Sequence, residues 1–390
     1  MNIRELVNNE EDYIVGLRRY FHANPEPSLK EYKTAEKIEK ELEAWGIPFE
    51  RVGETGVIGY IGELNKGKTI ALRSDIDALE IEEMNDIEYI SFNKGLMHAC
   101  GHDAHIASLL GAAKILKAKE NEINGCIKVL FQQAEEIGQG ARQFVALGHL
   151  KDVDNVFGLH VSSGLDVGKI SVTPGSIAAS CDYFKIKIKG KSSHVSKPHT
   201  GIDALYIASQ VVVNLQSIVA REIDPIDTVV VGIGVLNSGT RYNIIAKTAE
   251  LEGTFRTFSR ETRAKTQESI ERIVKSIVEA HKGEAEVEFH SYSSPVINDE
   301  ESSKYAAEVA KQIVGEDNII TNQEKVLGAD DFAEFQEEVP GVYVNIGTRN
   351  PIDESTHYPH HNERFNIDEK GLLISTEFYV LYALKYLNGE

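Results

Sequence analysis

Short apolar runs alternating with amphipathic stretches constrain this chain most, because they ask for an open sheet with helices packed on it. Val57 to Ile61, Thr69 to Leu72, Cys126 to Phe131 and Val156 to Leu159 have the length of strands and are bounded by turn residues. Ile3, Leu6, Val7, Ile14, Leu17 and Phe21 recur at helical spacing, as do Ala35, Ile38 and Leu42, and later Ile106, Leu109, Leu110, Ala113 and Leu116. In an open α/β sheet the loops beyond the strand ends gather on one edge, and here those ends carry chemistry. The second run empties into Asp75 and Asp77, the third into Glu135 and Glu136, and the fourth into His160.

The densest stretch is Met97-His98-Ala99-Cys100-Gly101-His102-Asp103-Ala104-His105, just ahead of a helical run. Cys100 and His102 flank a glycine, so their side chains converge only if the backbone turns there. A thiolate and a neutral imidazole suit a divalent ion such as zinc or cobalt, but two ligands are too few for a site. Taken alone, the motif fits a buried cysteine beside helix-capping residues equally well. Its company decides the matter. A polar loop holding His357, His360 and His361 lies between ordered segments and is a further ligand source.

Cys100, His102, Glu136, His160 and His361 supply five ligands of compatible type, one more than a closed structural tetrahedron needs. A two-metal centre with a bridging water is therefore expected, with Glu135 as general base and Asp75 or Asp77 in support. The implied chemistry is hydrolysis of an amide. Glu135 takes the proton of the attacking water and returns it to the leaving amine, while a donor such as His194 stabilises the oxyanion.

Residues 181 to 292 change character. Phe184, Ile186 and Ile188 alternate with Lys185, Lys187 and Lys189, and the pattern continues as helix, two strands, helix and strand. That βαββαβ order predicts an inserted ferredoxin-like domain over 181–292, with 1–180 and 293–390 forming the metal-binding domain. A balance of 41 basic to 61 acidic residues disfavours nucleic acid and anionic membranes as partners. No stretch approaches the ~18 apolar residues of a membrane span, and the charged start has no apolar signal region, so a cytoplasmic protein is expected. Cys100, Cys126 and Cys181 are too scattered for a disulfide framework, and a reduced compartment keeps Cys100 available as a thiolate.

From about Leu17 to the C-terminal helix the chain resembles the aminoacylase and carboxypeptidase-G type of dinuclear metallopeptidase, in its amidohydrolase branch. The resemblance rests on Met97 to Asp103, Gln133-Ala134-Glu135-Glu136, Gly158-Leu159-His160, Gly253-Thr254-Phe255-Arg256-Thr257, Gly328-Ala329-Asp330-Asp331-Phe332 and His360-His361-Asn362. It implies a three-layer α/β catalytic domain with a mixed central sheet and an inserted α+β lid through which two copies dimerise. It also implies two divalent ions per subunit (zinc, manganese, cobalt or nickel) held by the five ligands above, with Glu135 as base. His194 matches a lid histidine that reaches a partner's site, and Asn243 and Arg256 match positions that grip a substrate carboxylate. The implied substrate is a small N-acyl amino acid. The alternatives are N-acetyldiaminopimelate deacetylation, dipeptide cleavage, or a non-catalytic binding protein, against which the complete ligand set argues. Gln133 stands where the branch more often has proline, Arg241-Tyr242 where a small residue and phenylalanine are usual, and Lys197 adds a cation beside the lid histidine.

Overall fold

The computed structural model describes residues 2–389, which form two compact units. The larger runs through Gly175 and resumes over Ile297–Glu324 and from Asp330, and the smaller is Ser176–Val296 with Lys325–Ala329. The joints thus fall a few residues outside the 181–292 expected from sequence. Lys325–Ala329 belongs with the insertion because Val326 bridges to Ala178 and the Ala179 N–H donates to the Val326 and Gly328 carbonyls.

In chain order the strands are β1 Phe49–Val52, β2 Gly56–Gly62, β3 Lys68–Asp75, β4 Gly125–Gln132, β5 Asn155–Asp166, β6 Ile170–Ser171 and β7 Gly175–Ala178. The insertion adds β8 Cys181–Lys189, β9 Val229–Ser238, β10 Thr248–Thr257 and β11 Glu284–Ser293, and the chain continues with β12 Val296–Asn298, β13 Ile319–Ile320 and β14 Gly341–Arg349.

The larger unit's sheet has the order β1-β2-β4-β3-β5-β14-β6-β13. β4, β3, β5 and β14 run parallel, while β2 is antiparallel to β4 and β6 to β14, so the sheet is mixed. β4 is buried along its whole length, as a strand covered on both faces must be. Adjacent residues of β5 show the two coverings. The Phe157 ring centroid lies 4.3 Å from that of Tyr382 and 5.0 Å from that of Phe378, both on helix Lys370–Asn388. Gly158 faces the other way, where a Cβ would come within 2.7 Å of the Phe332 ring on helix Phe332–Glu338. Helices on both faces make three layers. Truncating the fully buried Phe157 to alanine is expected to cost about 3–5 kcal/mol, read as a fall in the denaturation midpoint.

Two local expectations shift. The periodicity from Ile3 to Phe21 resolves into helices Ile3–Asn9 and Glu11–Ala23, parted at Glu10 after the weak helix formers Asn8 and Asn9. His160 does not end its strand, because β5 continues to Asp166 as an alternating, half-exposed strand rather than an apolar run.

In the smaller unit β8, helix Ala204–Leu215, β9, β10, helix Arg260–Ala280 and β11 follow in the order read from sequence. The antiparallel sheet order β11-β8-β10-β9 is ferredoxin-like. Phe184, Ile186 and Ile188 are buried with the helices, while Lys185, Lys187 and Lys189 pair with Glu250, Glu288 and Glu286 at 2.8, 2.6 and 2.9 Å. Solvated pairs of this kind contribute little. The alternation of buried and exposed side chains fixes the register instead. No described helix is long and apolar enough to cross a membrane.

Candidate metal centre

The parallel strands deliver chemically active residues to one edge of the larger unit. β3 ends at Asp75, two residues before Asp77, and β4 ends at Gln132, ahead of a 3-10 turn over Glu135–Ile137. β5 carries His160, and the loop after β14 carries His360 and His361. Helix His102–Ala118 starts directly beyond Gly101, whose φ is +91°. A Cβ there would meet Val161 Cγ2 at 2.4 Å, so only glycine permits the turn that sets Cys100 beside His102. Of the five described non-glycine residues with left-handed backbone, two lie here, Ala134 at φ +52° and His361 at +64°. Each conformation costs on the order of 1–3 kcal/mol, and each lies in a loop that supplies the site.

The donors converge with defined tautomers. His102 Nδ1 donates to the Asp77 carbonyl at 2.8 Å, which leaves Nε2 as the nitrogen that can bind a cation once its proton is displaced. That Nε2 and Glu136 Oε1 are buried, lack a hydrogen-bond partner and lie 3.8 Å apart. Cys100 Sγ joins them, all three ligand atoms lying within 4.8 Å of one another. His160 donates from Nδ1 to the Val161 carbonyl at 2.6 Å, leaving its Nε2 at 3.4 Å from Cys100 Sγ. His361 Nε2 is 3.5 Å from Glu136 Oε1. Donors about 2.0–2.3 Å from one tetrahedral ion are separated by about 3.3–3.8 Å. Two orphaned buried ligand atoms, His102 Nε2 and Glu136 Oε1, with the Cys100 sulfur and the imidazoles of His160 and His361 beside them, fit a divalent transition ion.

The two aspartates separate clearly. Asp75 is committed to Arg73 at 2.7 Å and to His105 Nδ1 at 2.6 Å, and His105 Nε2 in turn accepts the Val161 N–H. Both nitrogens of His105 are thereby used. Asp77 instead accepts the N–H groups of Glu135 and Glu136 at 3.2 and 3.0 Å, so it orients the glutamate loop. Asp103 is drawn away to Arg18 and His22 at 2.9 and 2.8 Å.

Charge is crowded here. Burial, then Asp330 and Glu136, push Glu135 well above the usual carboxylate range. Burial raises Glu136 to about 7 despite His102. Burial, then Glu136 and Glu135, lift the Cys100 thiol well above its ordinary value. For His102 burial acts downward, but Asp75, Asp77 and Glu136 outweigh it and hold the imidazole at about 10. The shared cause is buried acidic groups facing one another, which a bound cation relieves.

Some participants escaped the sequence reading. Arg73 is fully buried and holds Asp75, Gln132 at 2.8 Å, Asp331 at 3.1 Å and Asp330 at 3.3 Å. Carboxylate oxygens of Asp330, Asp331 and Glu135 lie within 4.8 Å of one another. His360, beside the expected ligand, groups with Cys100 and His160 and contacts the Cys100 carbonyl at 3.2 Å through Nδ1. The two adjacent histidines were the signal, and sequence could not apportion them.

His194, Asn243 and Arg256 lie in the smaller unit. His194 is exposed, pairs with Ile244, and accepts at Nδ1 from Ser196, which leaves Nε2 as the donor nitrogen. The Val195 N–H donates to the Asn243 carbonyl at 3.2 Å, so these two loops are tied together. Arg256 donates to the Leu327 carbonyl at 2.9 Å.

A family model described as peptidase family M20/M25/M40 matches residues 71–385. The chain belongs to that family. M20 relatives include thermostable carboxypeptidase 2 of Saccharolobus solfataricus, 39% identical over 100% of both chains. N-acetyl-L-cysteine deacetylase of Bacillus subtilis is 37% identical over 97% of this chain and 89% of its own. Among solved structures, the YXEP protein of Bacillus subtilis, described as a dinuclear metal-binding M20 peptidase, superimposes with a TM-score of 0.83 at 34% identity, covering 98% of this chain and 99% of its own. Membership makes the chain a hydrolase of amide bonds.

Proposed function

We propose that the chain is a dinuclear metal-dependent amidohydrolase that removes the acyl group from the nitrogen of an amino acid. The observation that carries this is the convergence of Cys100, His102, Glu136, His160 and His361 around orphaned buried donors, with Glu135 alongside. Divalent ions held there, whether zinc, manganese, cobalt or nickel, would acidify water and polarise the scissile carbonyl. Glu135 accepts the proton of the attacking water and delivers it to the departing amine nitrogen. His194 Nε2–H is the donor for the carbonyl oxygen as it becomes an oxyanion. Asn243 and Arg256 grip the free carboxylate of the substrate.

The experiment is a hydrolysis screen of N-acetyl-methionine, hippurate, N-acetyl-L,L-diaminopimelate and simple dipeptides with each metal. Likeness to a carboxypeptidase supports peptide cleavage as the second reading. Acyl amino acids turning over at least tenfold faster than dipeptides decide for deacylation. Near-stoichiometric metal with no turnover of any acyl amino acid would sink it.

The same reading takes the smaller unit as the dimer interface. β9 is an edge strand and exposes Val230, Val235 and Leu236, while helix Ala204–Leu215 exposes Leu205 and Val213. If His194 serves the partner's site, mixing inactive His194→Ala and Glu135→Ala chains restores roughly a quarter of wild-type activity on random exchange. No recovery, with exchange verified, counts against shared sites.

A further inference from the structure

The loop after helix Glu11–Ala23, proline-broken at Pro25 and Pro27, has no part in the mechanism above, yet it reaches the catalytic loop. Three consecutive backbone N–H groups, those of Ala134, Glu135 and Glu136, are taken by two buried carboxylates. Asp77 takes the second and third, and Glu31 Oε1 takes the first at 2.9 Å. Glu31 is fully buried, and its other oxygen accepts from Thr55 Oγ1 at 2.7 Å.

Two features set Glu31 apart from an ordinary helix-start acid. It is the N-cap of helix Tyr32–Ala44, but its side chain caps nothing there. Glu26 does that work, accepting from the Thr34 N–H at 2.8 Å and so releasing Glu31 for the distant loop. The loop itself is pinned, with Ala78 N donating to the Glu26 carbonyl at 2.9 Å and Ser28 Oγ to Asp77 Oδ2 at 2.6 Å. What Glu31 holds is the strained residue of that loop, because Ala134 is the non-glycine at φ +52° from which Glu135 and Glu136 are aimed.

We infer that Glu31 is a positioning residue of the active site, holding the left-handed Ala134 turn that directs Glu135 and Glu136. The inference rests on the proposed amidohydrolase reading for its kinetic consequence, and on geometry alone for its structural one.

The test uses the full metal-loaded chain as wild type, Glu31→Ala, Glu31→Gln and the double variant Glu31→Ala/Ala134→Gly. Two readouts are needed: kcat and KM on an acyl amino acid, and hydrogen exchange of the 134–136 amides. Glu31→Ala should lower kcat by on the order of 10- to 100-fold, as loss of a ligand-supporting partner does, with KM within about threefold and faster exchange at 134–136. Glu31→Gln should recover most of the loss, since its amide oxygen still accepts from Ala134 and its NH2 can donate to Thr55 Oγ1. The double variant should regain roughly tenfold over Glu31→Ala, because glycine takes the left-handed conformation without a Cβ penalty. A general folding defect would not be cured by a glycine at 134. Unchanged exchange and kcat in Glu31→Ala, or no gain in the double variant, would overturn the inference. If the wild-type chain turns over no acyl amino acid, the functional reading fails, and amide exchange still decides the role of Glu31.

Discussion

A Glu135→Gln variant is expected to lose at least about 10³-fold in kcat, within the range by which a placed general base accelerates proton transfer, while keeping the metal content of the wild type. The two adjacent glutamates are given different jobs by the turn at Ala134. Glu136 Oε1 points at His102 Nε2 and His361 Nε2, at 3.8 and 3.5 Å, the position that the proposed ligand role requires. Glu135, 4% exposed, points toward Asp330 and Asp331, with Oε2 at 3.9 Å from His102 Nε2. Glutamine at 135 preserves size and the backbone bond to Asp77 but cannot accept a proton at neutral pH. Steady-state kinetics on N-acetyl-methionine beside elemental analysis of the same sample makes the check. Residual kcat within tenfold of wild type removes Glu135 from the base position, and loss of metal moves it into the ligand set.

How much of this could be read from residue order follows from which contacts are local. The alternation Phe184, Ile186, Ile188 against three lysines defines β8 wherever it lies, and the insertion's six elements were legible for that reason. β6 and β13, at two residues each, carry no period and were not legible. In the site, Cys100, His102 and Glu136 stood out as candidates because a thiol, imidazoles and carboxylates gathered at successive loops are uncommon together, while each alone has a bland reading. Arg73 was not, since an arginine in a strand is ordinarily solvated, and its partner Asp331 is 258 positions away. Glu31 is the same case. Helix-start acids usually cap their own helix, and only the fold shows that its carboxylate is spent 103 positions away on Ala134.

Cys100→Ala and His361→Ala should both lose metal and turnover, but unequally. Cys100 Sγ belongs to two donor groups, one with His102 and Glu136 and one with His160 and His360. Its removal weakens both metal positions, so elemental analysis should find little tightly held metal. His361, on an exposed loop, meets the cluster through Glu136, so His361→Ala should keep up to one ion. Protons give a sharper discriminator. In the metal-free protein His102 stands at about 10 and Glu136 at about 7, with the Cys100 thiol raised well above its ordinary value. At pH 7 His102 and Cys100 therefore hold protons that a bound cation must displace, so affinity falls as pH falls, by about tenfold per pH unit for each proton released. Cys100→Ala removes one of those protons and should lower the slope by one. Titration calorimetry in buffers of different ionisation heat counts them directly. A Cys100→Ala chain that still binds metal with the wild-type proton count would mean that the thiol is a neighbour of the centre and not its ligand, and a two-metal reading would then need His360 in its place.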